Sequence, residues 1–458
     1  MTERLSALDA TFLNLERDEM PMHVAGLLTF EGPVPTLAEL SRHVQSRLDL
    51  IPRYRQRVRE VPLRLGNPVW LDDPHFNIDY HLRHVALPPP GSTEQLSTMV
   101  SRVLDNRLDL TRPLWELWLI QGLEGDRWAL LSKAHHAMID GIAGRDIIEI
   151  LLEDQPDHRE GLIPDWQPAP EPGRRAVVAS AITDSVSDPA RTVEHLLTSI
   201  SRPKELVRRS ASSIVGTARS GKRLVHTEDF FTGPVGPHRR WSWLGLDLER
   251  IKRLKNFHAS TVNDVLLAGI TGVLRALLNA RGEVLRPDAA VRTMVPVSMR
   301  PPGDDSAGNQ VAALFVDLPV GQTDPRQWLV TLHSEMDRAK HSGEVLSVPT
   351  LLSAAPFVPA GLLAAGGRVA ARMPQHSVGT VTTNVPGAQH PLYLMGRLLL
   401  ETIPFVPLGP RVQIAFAMMS YNGGVWCGVT ADYDAVPDVD LVIQGIGESI
   451  TGLEREVH

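Results

Sequence analysis

Apolar and polar residues alternate in regular patterns along the first third of the chain. Between 37 and 48 the apolar positions follow helical spacing, and Thr36 with Glu39 forms a capping box at the start. Ser92 opens a second segment of the same kind, which extends to 104. The other elements predicted here are a helix over 5–15 and strands over 22–30, around 69–70 and over 80–85.

Two apolar runs, 114–120 and 128–136, follow in close succession. A turn rich in glycine and aspartate, 122–126, separates them, which is typical of a hairpin of two antiparallel strands. The pattern therefore predicts two neighbouring strands, the second of which ends at a pair of histidines.

The end of this second strand is the strongest candidate for chemistry. His135 and His136 are followed by Asp140 and Gly141, and 142–152 continues with helical spacing. Adjacent side chains on a strand point to opposite faces, so only one of the two histidines can face any one cavity. A strand, a polar corner and a helix commonly frame an active site.

Proline and acidic residues dominate 155–174, which is typical of a linker. We therefore predict three regions: an N-terminal domain over 1–165, a helical and basic interdomain linker over 166–235, and a C-terminal domain over 236–458.

The C-terminal region mixes helices and strands without a strict βαβ rhythm. Thr261 to Asp264 can cap a long helix through Ala280, and Gly282 stands at a typical C-terminal glycine position. The other predicted elements are strands over 291–297, 311–318, 378–385, 413–420 and 425–433 and helices over 328–340 and 439–457. Both halves therefore favour the α+β class.

Composition places the chain among globular proteins. Of its 458 residues 43% are apolar and 22% charged, enough for a sizeable core and for two domains. The net charge of -7 gives no global attraction to nucleic acid. Cys427 is the only cysteine, which excludes a disulfide framework and a thiolate metal cluster and fits a reducing cytosol. No signal-peptide pattern occurs in 1–19.

Three segments raise alternatives outside the core. The uncharged segment 345–367 is long enough to span a bilayer, but its prolines and glycines favour short buried or interfacial helices. The basic segment 201–225 fits a solvated helix pair or contact with an anionic membrane or lipid-droplet surface. Within it, 216–223 imitates a phosphate-binding loop, but Arg223 replaces the magnesium-binding hydroxyl, so we discount this function.

Three interpretations of the corner compete: structural histidines, a metal site and a general base. A metal is disfavoured because adjacent histidines diverge from a strand and no further ligand cluster lies nearby in sequence. Histidine titrates near neutrality and can move a proton from a hydroxyl to a leaving group. No G-x-S-x-G elbow occurs, and Cys427 lacks a neighbouring histidine. A base without its own nucleophile favours group transfer to an alcohol or amine.

The segment His135 to Gly141 resembles the HHxxxDG motif of the CoA-dependent acyltransferase superfamily, which includes chloramphenicol acetyltransferase and the condensation domains of peptide synthetases. More closely, the chain resembles the bacterial wax ester synthase/acyl-CoA:diacylglycerol acyltransferase family. The supporting stretches are Leu5–Asp9, Pro21–Val24, Arg112–Trp115, Asn263–Val265, Val295–Arg300, Gly308–Asn309 and Thr383–Gly387. These stretches run from the first residues to the last hundred, so the resemblance covers essentially the whole chain.

This resemblance implies two similar chloramphenicol-acetyltransferase-like domains, each a mixed sheet flanked by helices, with the active site in a tunnel between them. It implies that His136 is the catalytic base and that Asp140 holds the turn by pairing with an arginine, for which Arg57 and Arg300 are the candidates. His135 would support the loop or the acceptor side.

The resemblance implies roles for further residues. Asn263 would stabilise the oxyanion or the active-site helix, with helix capping as an equal alternative. The expected substrate-binding residues are Gly141, Pro113, Leu114, Trp115, Ser298, Arg300 and Asn309. The segment 354–371 would line an acyl channel or belong to the core.

The expected reaction moves a long-chain acyl group from acyl-CoA to a hydroxyl, giving triacylglycerol from diacylglycerol, wax ester from a fatty alcohol, or both. Acyl-CoA is a cosubstrate, and no metal or organic cofactor is expected. Two alternatives remain open: another alcohol or amine acceptor, or a non-catalytic lipid-binding protein. The expected location is cytoplasmic, with peripheral contact to the inner membrane or lipid droplets left open.

Overall fold

The computed structural model describes residues 3–62, 66–139, 147–173, 176, 229–298, 311–341, 346–347 and 378–455. The helices of the first half are α1 (Ala7–Leu15), α2 (Leu37–Gln45), α3 (Ile78–His81), α4 (Thr93–Asp105), α5 (His136–Ile139) and α6 (Ile147–Leu151), with 3-10 turns at Leu48–Leu50 and Pro52–Arg55. Its strands are β1 (Glu3–Arg4), β2 (His23–Glu31), β3 (Gln56–Arg59), β4 (Val69–Asp72), β5 (Leu82–Ala86), β6 (Trp115–Leu123) and β7 (Arg127–His135).

The second half has the same mixed character. Its strands are β8 (Arg239–Asp247), β9 (Val291–Ser298), β10 (Val311–Leu318), β11 (Leu346–Ser347), β12 (Thr380–Pro386), β13 (Tyr393–Leu394), β14 (Arg397–Phe405), β15 (Ile414–Tyr421) and β16 (Gly424–Asp432). Its helices are α7 (Leu248–Phe257), α8 (Val262–Ala280), α9 (Pro325–His341) and α10 (Val439–Arg455).

The six-stranded first sheet combines both halves of the chain. Its order is β13-β14-β2-β7-β6-β5, so β14 pairs antiparallel with β2 across more than 360 residues of sequence. The seven-stranded second sheet has the order β11-β10-β9-β12-β15-β16-β8, and a small sheet joins β1, β4 and β3. Parallel and antiparallel neighbours occur in both large sheets. The predicted α+β class is confirmed, while the predicted domain limits stay a prediction.

Strand alternation on β7 builds a core on each face of the first sheet. Leu130 packs in one cluster with Leu40 of α2, and Leu131 packs in the other with Leu104 of α4. Capping boxes at Thr36 and Ser92 begin α2 and α4, and each helix buries its apolar stripe. The first sheet thus holds the strand that ends at the histidines between two packed layers.

Helix α4 also covers the free edge of the second sheet. Its Ser101 hydroxyl accepts a hydrogen bond from the Trp241 amide at 3.1 Å, and its Asp105 carboxylate accepts one from the Arg239 amide at 2.8 Å. These side chains satisfy backbone groups of β8, which among the described strands has no neighbour on that side.

The two large sheets approach each other closely at Gly428 of β16. A Cβ atom at this position would lie 2.1 Å from the Pro404 carbonyl oxygen of β14 and 3.1 Å from Trp241 Nε1. Backbone atoms cannot move aside as a flexible side chain can. Hence only glycine allows this approach.

We therefore expect Gly428→Val to push the two sheets apart. Overpacking of this kind costs about 1–3 kcal/mol. Urea unfolding measures the loss, and Gly452→Val, at a position where a Cβ atom would meet nothing within 4 Å, is the matched control. Equal stability of the two variants would contradict the close approach.

Helix α8 is long and apolar enough to cross a membrane by length and composition alone, yet 72% of the tested window is buried inside the protein. Residues along it, among them Leu267, Ile270 and Leu274, belong to the core of the second sheet. Core packing therefore accounts for its apolar character. Of the segment 345–367, only the two residues of β11 belong to the described residues, and 201–225 and 216–223 lie entirely outside them.

Candidate active site

Strand β7 delivers the two histidines to different environments. His135 is its last residue, and the chain turns at once into α5, which begins at His136. The His135 amide donates to the Leu114 carbonyl at 2.9 Å, and the His136 amide donates to the Met22 carbonyl at 2.8 Å. Strands β6 and β2 therefore hold the backbone of the corner from both sides.

His135 is a neutral, buried imidazole. Its Nδ1 accepts a hydrogen bond from the Ala137 amide at 3.1 Å, so the ring proton resides on Nε2. Burial, together with His136 and Arg107, lowers the pKa of His135 to about 3. Because its side chain is fully buried and its Nδ1 lone pair is engaged, His135 is suited to hold the corner. Its expected role, support of the loop or of the acceptor side, stays a prediction.

His136 is only half-buried, and its ring stacks on Phe12 of α1. The ring centroids lie 3.9 Å apart with an angle of 26° between the planes. Stacking fixes the imidazole plane while leaving part of the ring accessible. Of the two histidines, His136 is thus the one that a substrate can reach.

Two more buried ionisable groups lie beside His135, one on β7 and one on β2. Lys133 Nζ donates to the Val103 carbonyl at 2.9 Å and to the Asn106 carbonyl, at the C-terminal end of α4. Burial lowers the pKa of Lys133 to about 8. His23 stands opposite His135 on β2, and burial, with Lys133 as the next cause, lowers its pKa well below the usual value. Lys133 thus binds the end of α4 to the sheet.

The predicted substrate residues Pro113, Leu114 and Trp115 lie in the interior. Leu114 holds the His135 amide through its carbonyl, as described above. The Trp115 indole donates to the Tyr54 carbonyl at 2.7 Å and stacks on His81 with centroids 4.4 Å apart. With Trp115 only 1% exposed, these contacts favour a supporting role. Substrate contact by the three residues stays a prediction.

At the start of α8, the capping alternative for Asn263 is wrong. The Thr261 side chain accepts from the Asp264 amide, and the Asp264 carboxylate accepts from the Thr261 amide, so these two residues form the cap. Asp264 also accepts from His333 Nδ1 at 2.8 Å. Asn263 is half-buried in the first helical turn beside them. Its role towards the oxyanion stays a prediction.

The remaining predicted site residues have little or no described structure. Ser298 ends β9, and its side chain is not described. Asp140, Gly141, Arg300 and Asn309 lie outside the described residues, as does 354–371. Arg57 lies on β3, where its Nη2 donates to Glu171 at 3.2 Å. The arginine partner of Asp140 therefore stays a prediction.

One group of three residues has the composition of a metal site. Single ligand atoms of His43, Glu153 and His158 lie within 4.8 Å of one another. The Arg47 guanidinium already occupies this group, with Nη1 2.9 Å from His43 Nδ1 and Nη2 2.5 Å from Glu153 Oε1. Arg47 already supplies a positive charge to this group, so its guanidinium would have to leave before a metal ion could bind.

Sequence reasoning missed Phe12, which stacks on His136, and Glu16, which lies 3.7 Å from His135 Nε2. Phe12 lies on α1 and Glu16 directly follows it, so both are about 120 residues away from the two histidines in sequence. Local periodicity explains Phe12 equally well as a core residue. Only the pairing of β2 with β7, in which His23 meets His135, brings these segments together.

Comparisons with known proteins agree with this architecture. The model of the wax ester synthase/diacylglycerol acyltransferase catalytic domain matches residues 5–266, and that of the WS/DGAT C-terminal domain matches residues 307–454. A Mycobacterium tuberculosis protein named a probable diacylglycerol O-acyltransferase, tgs1, is 33% identical, with 98% of this chain and 95% of the relative covered. A second M. tuberculosis protein, named a probable diacylglycerol O-acyltransferase, tgs2, is 31% identical, with 98% of each chain covered.

Solved structures share the fold. The wax ester synthase/diacylglycerol acyltransferase of Marinobacter aquaeolei superposes with a TM-score of 0.68 at 24% identity, covering 99% of both chains. The first condensation domain of the calcium-dependent antibiotic synthetase superposes with a TM-score of 0.59 at 16% identity, covering 99% of this chain and 96% of the other. On the matched family models and relatives, the chain belongs to the wax ester synthase/diacylglycerol acyltransferase family.

Proposed function

We propose that this protein transfers a long-chain acyl group from acyl-CoA to the free hydroxyl of diacylglycerol, with His136 as general base. Family membership makes the chain an acyl-CoA-dependent O-acyltransferase. The diacylglycerol acceptor is supported by the names of the mycobacterial relatives. The observation that supports His136 is its accessible ring on a corner where His135 is buried and neutral.

The proposed reaction needs one proton carrier. His136 takes the proton of the acceptor hydroxyl while the hydroxyl oxygen bonds to the thioester carbonyl carbon. The tetrahedral oxyanion collapses, the carbon–sulfur bond breaks, and the leaving CoA sulfur takes the proton back from the imidazolium. Ester and free CoA thiol are the products, and His136 returns to its starting form.

Purified protein incubated with radiolabelled palmitoyl-CoA and either diolein or hexadecanol tests the function. With diolein, labelled triacylglycerol and free CoA thiol are expected. Labelled wax ester with hexadecanol would show that the protein also uses a fatty alcohol as acceptor. Absence of both esters while palmitoyl-CoA still binds would contradict the proposal. Labelled amide from an amine acceptor alone would instead indicate chemistry of the condensation type, and lipid binding without CoA release would indicate a binding protein.

We propose that no resident cofactor takes part, because a base and an activated thioester suffice for the reaction. Dialysis against EDTA is therefore expected to leave the rate of triacylglycerol formation unchanged. The matched measurement adds Zn²⁺ or Mg²⁺ back to the dialysed protein. Loss of activity on dialysis and recovery with one of these ions would contradict the proposal.

We propose a cytoplasmic protein that contacts the inner membrane or lipid droplets peripherally. The argument is chemical, since diacylglycerol and its product dissolve in lipid and not in water. The seven basic residues of 201–225 are a candidate for contact with an anionic surface. Fractionation of cells at low and high salt tests this, since electrostatic attachment is released by salt.

A further inference from the structure

We propose that Glu16 is a positioning residue for His136, a role that rests on the proposed function. Glu16 follows the last turn of α1, and its amide donates to the Phe12 carbonyl at 3.1 Å. Its side chain is fully buried although it carries a carboxylate. A buried carboxylate is costly unless its oxygens accept hydrogen bonds and a cation compensates its charge.

Three N–H groups face the Glu16 carboxylate. Oε1 accepts from the Met22 amide at 3.2 Å and lies 3.7 Å from His135 Nε2, which carries the ring proton. Oε2 accepts from Arg107 Nη2 at 3.1 Å, and the same guanidinium binds Asp18 at 2.9 Å. A carboxylate is a pure acceptor, so it suits these three N–H groups.

Two of these contacts lead directly to the backbone of His136. Met22, held through its amide, accepts the His136 amide at 2.8 Å with its carbonyl. His135, which faces Glu16 with Nε2, accepts the Ala137 amide with Nδ1 at 3.1 Å. The His136 amide is therefore held by a residue that Glu16 binds, and the next amide is held by an imidazole whose Nε2 lies 3.7 Å from the Glu16 carboxylate.

A third connection reaches the ring itself. Phe12, which stacks on His136, lies one helical turn before Glu16 on the same helix. Glu16 thus ties α1, the turn before β2 and the end of β7 to one point. Displacement of a reactive group by about 1 Å can cost about 10²-fold in rate, so a residue that fixes this corner acts on turnover without touching substrate.

Glu16→Gln separates this role from a general need for a buried polar group. The amide keeps the size of the side chain but offers one acceptor oxygen and an NH₂ donor, which must face one of the donors of Met22, Arg107 or His135. We expect kcat to fall about 10²-fold while the KM for palmitoyl-CoA changes little. Amide hydrogen exchange over 135–138 should become faster, a readout that needs no activity.

Glu153→Gln is the matched control. Glu153 is also paired with an arginine, but it is only part-buried and its partner is Arg47. It should leave kcat and exchange over 135–138 near the wild-type values. If Glu16→Gln fails to fold, Glu16→Asp is the alternative test of the proposed role. This variant keeps the charge, but its shorter side chain withdraws the carboxylate from Met22 and His135. Wild-type exchange at the corner and wild-type kcat in the folded variant would overturn the role of Glu16. An inactive wild type with altered exchange in Glu16→Gln would instead refute the proposed function alone.

Discussion

His136→Ala is expected to lower kcat for triacylglycerol formation by about 10²–10⁴-fold, the usual contribution of a general base. The fold should survive, because the side chain is only half-buried and the His136 amide, which holds the corner to Met22, is retained. Steady-state kinetics with palmitoyl-CoA and diolein, together with circular dichroism, provide the measurement.

His75→Ala is the control, because His75 is an exposed histidine of the same half of the chain. It should turn over like the wild type. A folded His136→Ala variant with wild-type kcat would show that another group takes the proton. His135 would be a poor substitute, since burial holds its pKa near 3 and keeps its ring away from solvent.

Trp115→Ala is expected to reduce the free energy of unfolding by about 3–5 kcal/mol, the cost of removing a buried tryptophan side chain. The substitution removes the stacking on His81 and leaves the Tyr54 carbonyl without its indole donor. It also weakens the strand end whose Leu114 carbonyl holds His135. Urea unfolding followed by fluorescence and circular dichroism measures the loss.

Trp118→Ala is the matched control, because Trp118 lies on the same strand but is only partly buried and bonds Glu116 at 3.0 Å. Its loss of stability should be smaller. Trp115→Phe separates support from substrate contact: it keeps an aromatic ring and should leave the KM for palmitoyl-CoA and diolein unchanged. A raised KM in the stable variant would return Trp115 to the substrate site.

The two outcomes together would divide the motif stretches into reacting and supporting residues. Sequence similarity groups His136 and Trp115 because both belong to family motifs. Their burial differs, since Trp115 is 1% exposed and His136 is half-buried, which favours a supporting role for Trp115. The family motifs therefore identify which residues to test. The burial of each residue indicates whether it supports the fold or is accessible to other molecules.

Local chemistry predicted most of the described elements. The capping boxes at Thr36, Ser92 and Thr261 start α2, α4 and α8 as expected, because a cap depends on residues three apart. The hairpin turn at Asn422 and Gly423 adopts the positive φ values of 42° and 84° that such a turn requires. Caps and tight turns are thus predictable from residues that lie within a few positions of one another in the sequence.

The errors occur where two local signals compete or where pairing is remote. The range 80–85 was predicted as strand throughout, but Asn77 caps the short helix α3, so β5 begins only at Leu82. Strands β8 and β14 were not predicted. Their apolar positions are shared between the contacts of two sheets, so neither shows the simple alternation of a strand with one buried face.

The sequence by itself determined the α+β class, the hairpin that carries the histidines, the family and the two histidines from which we propose a general base. The tertiary structure decided how those residues differ: the pairing of β2 with β7 buries His135 and brings α1 beneath the corner, where Phe12 meets His136 and Glu16 faces His135. It also decided that β14 completes the first sheet. The physical reason is that local periodicity encodes which face of an element is buried, whereas contacts between segments more than 100 residues apart depend on packing that no local pattern specifies.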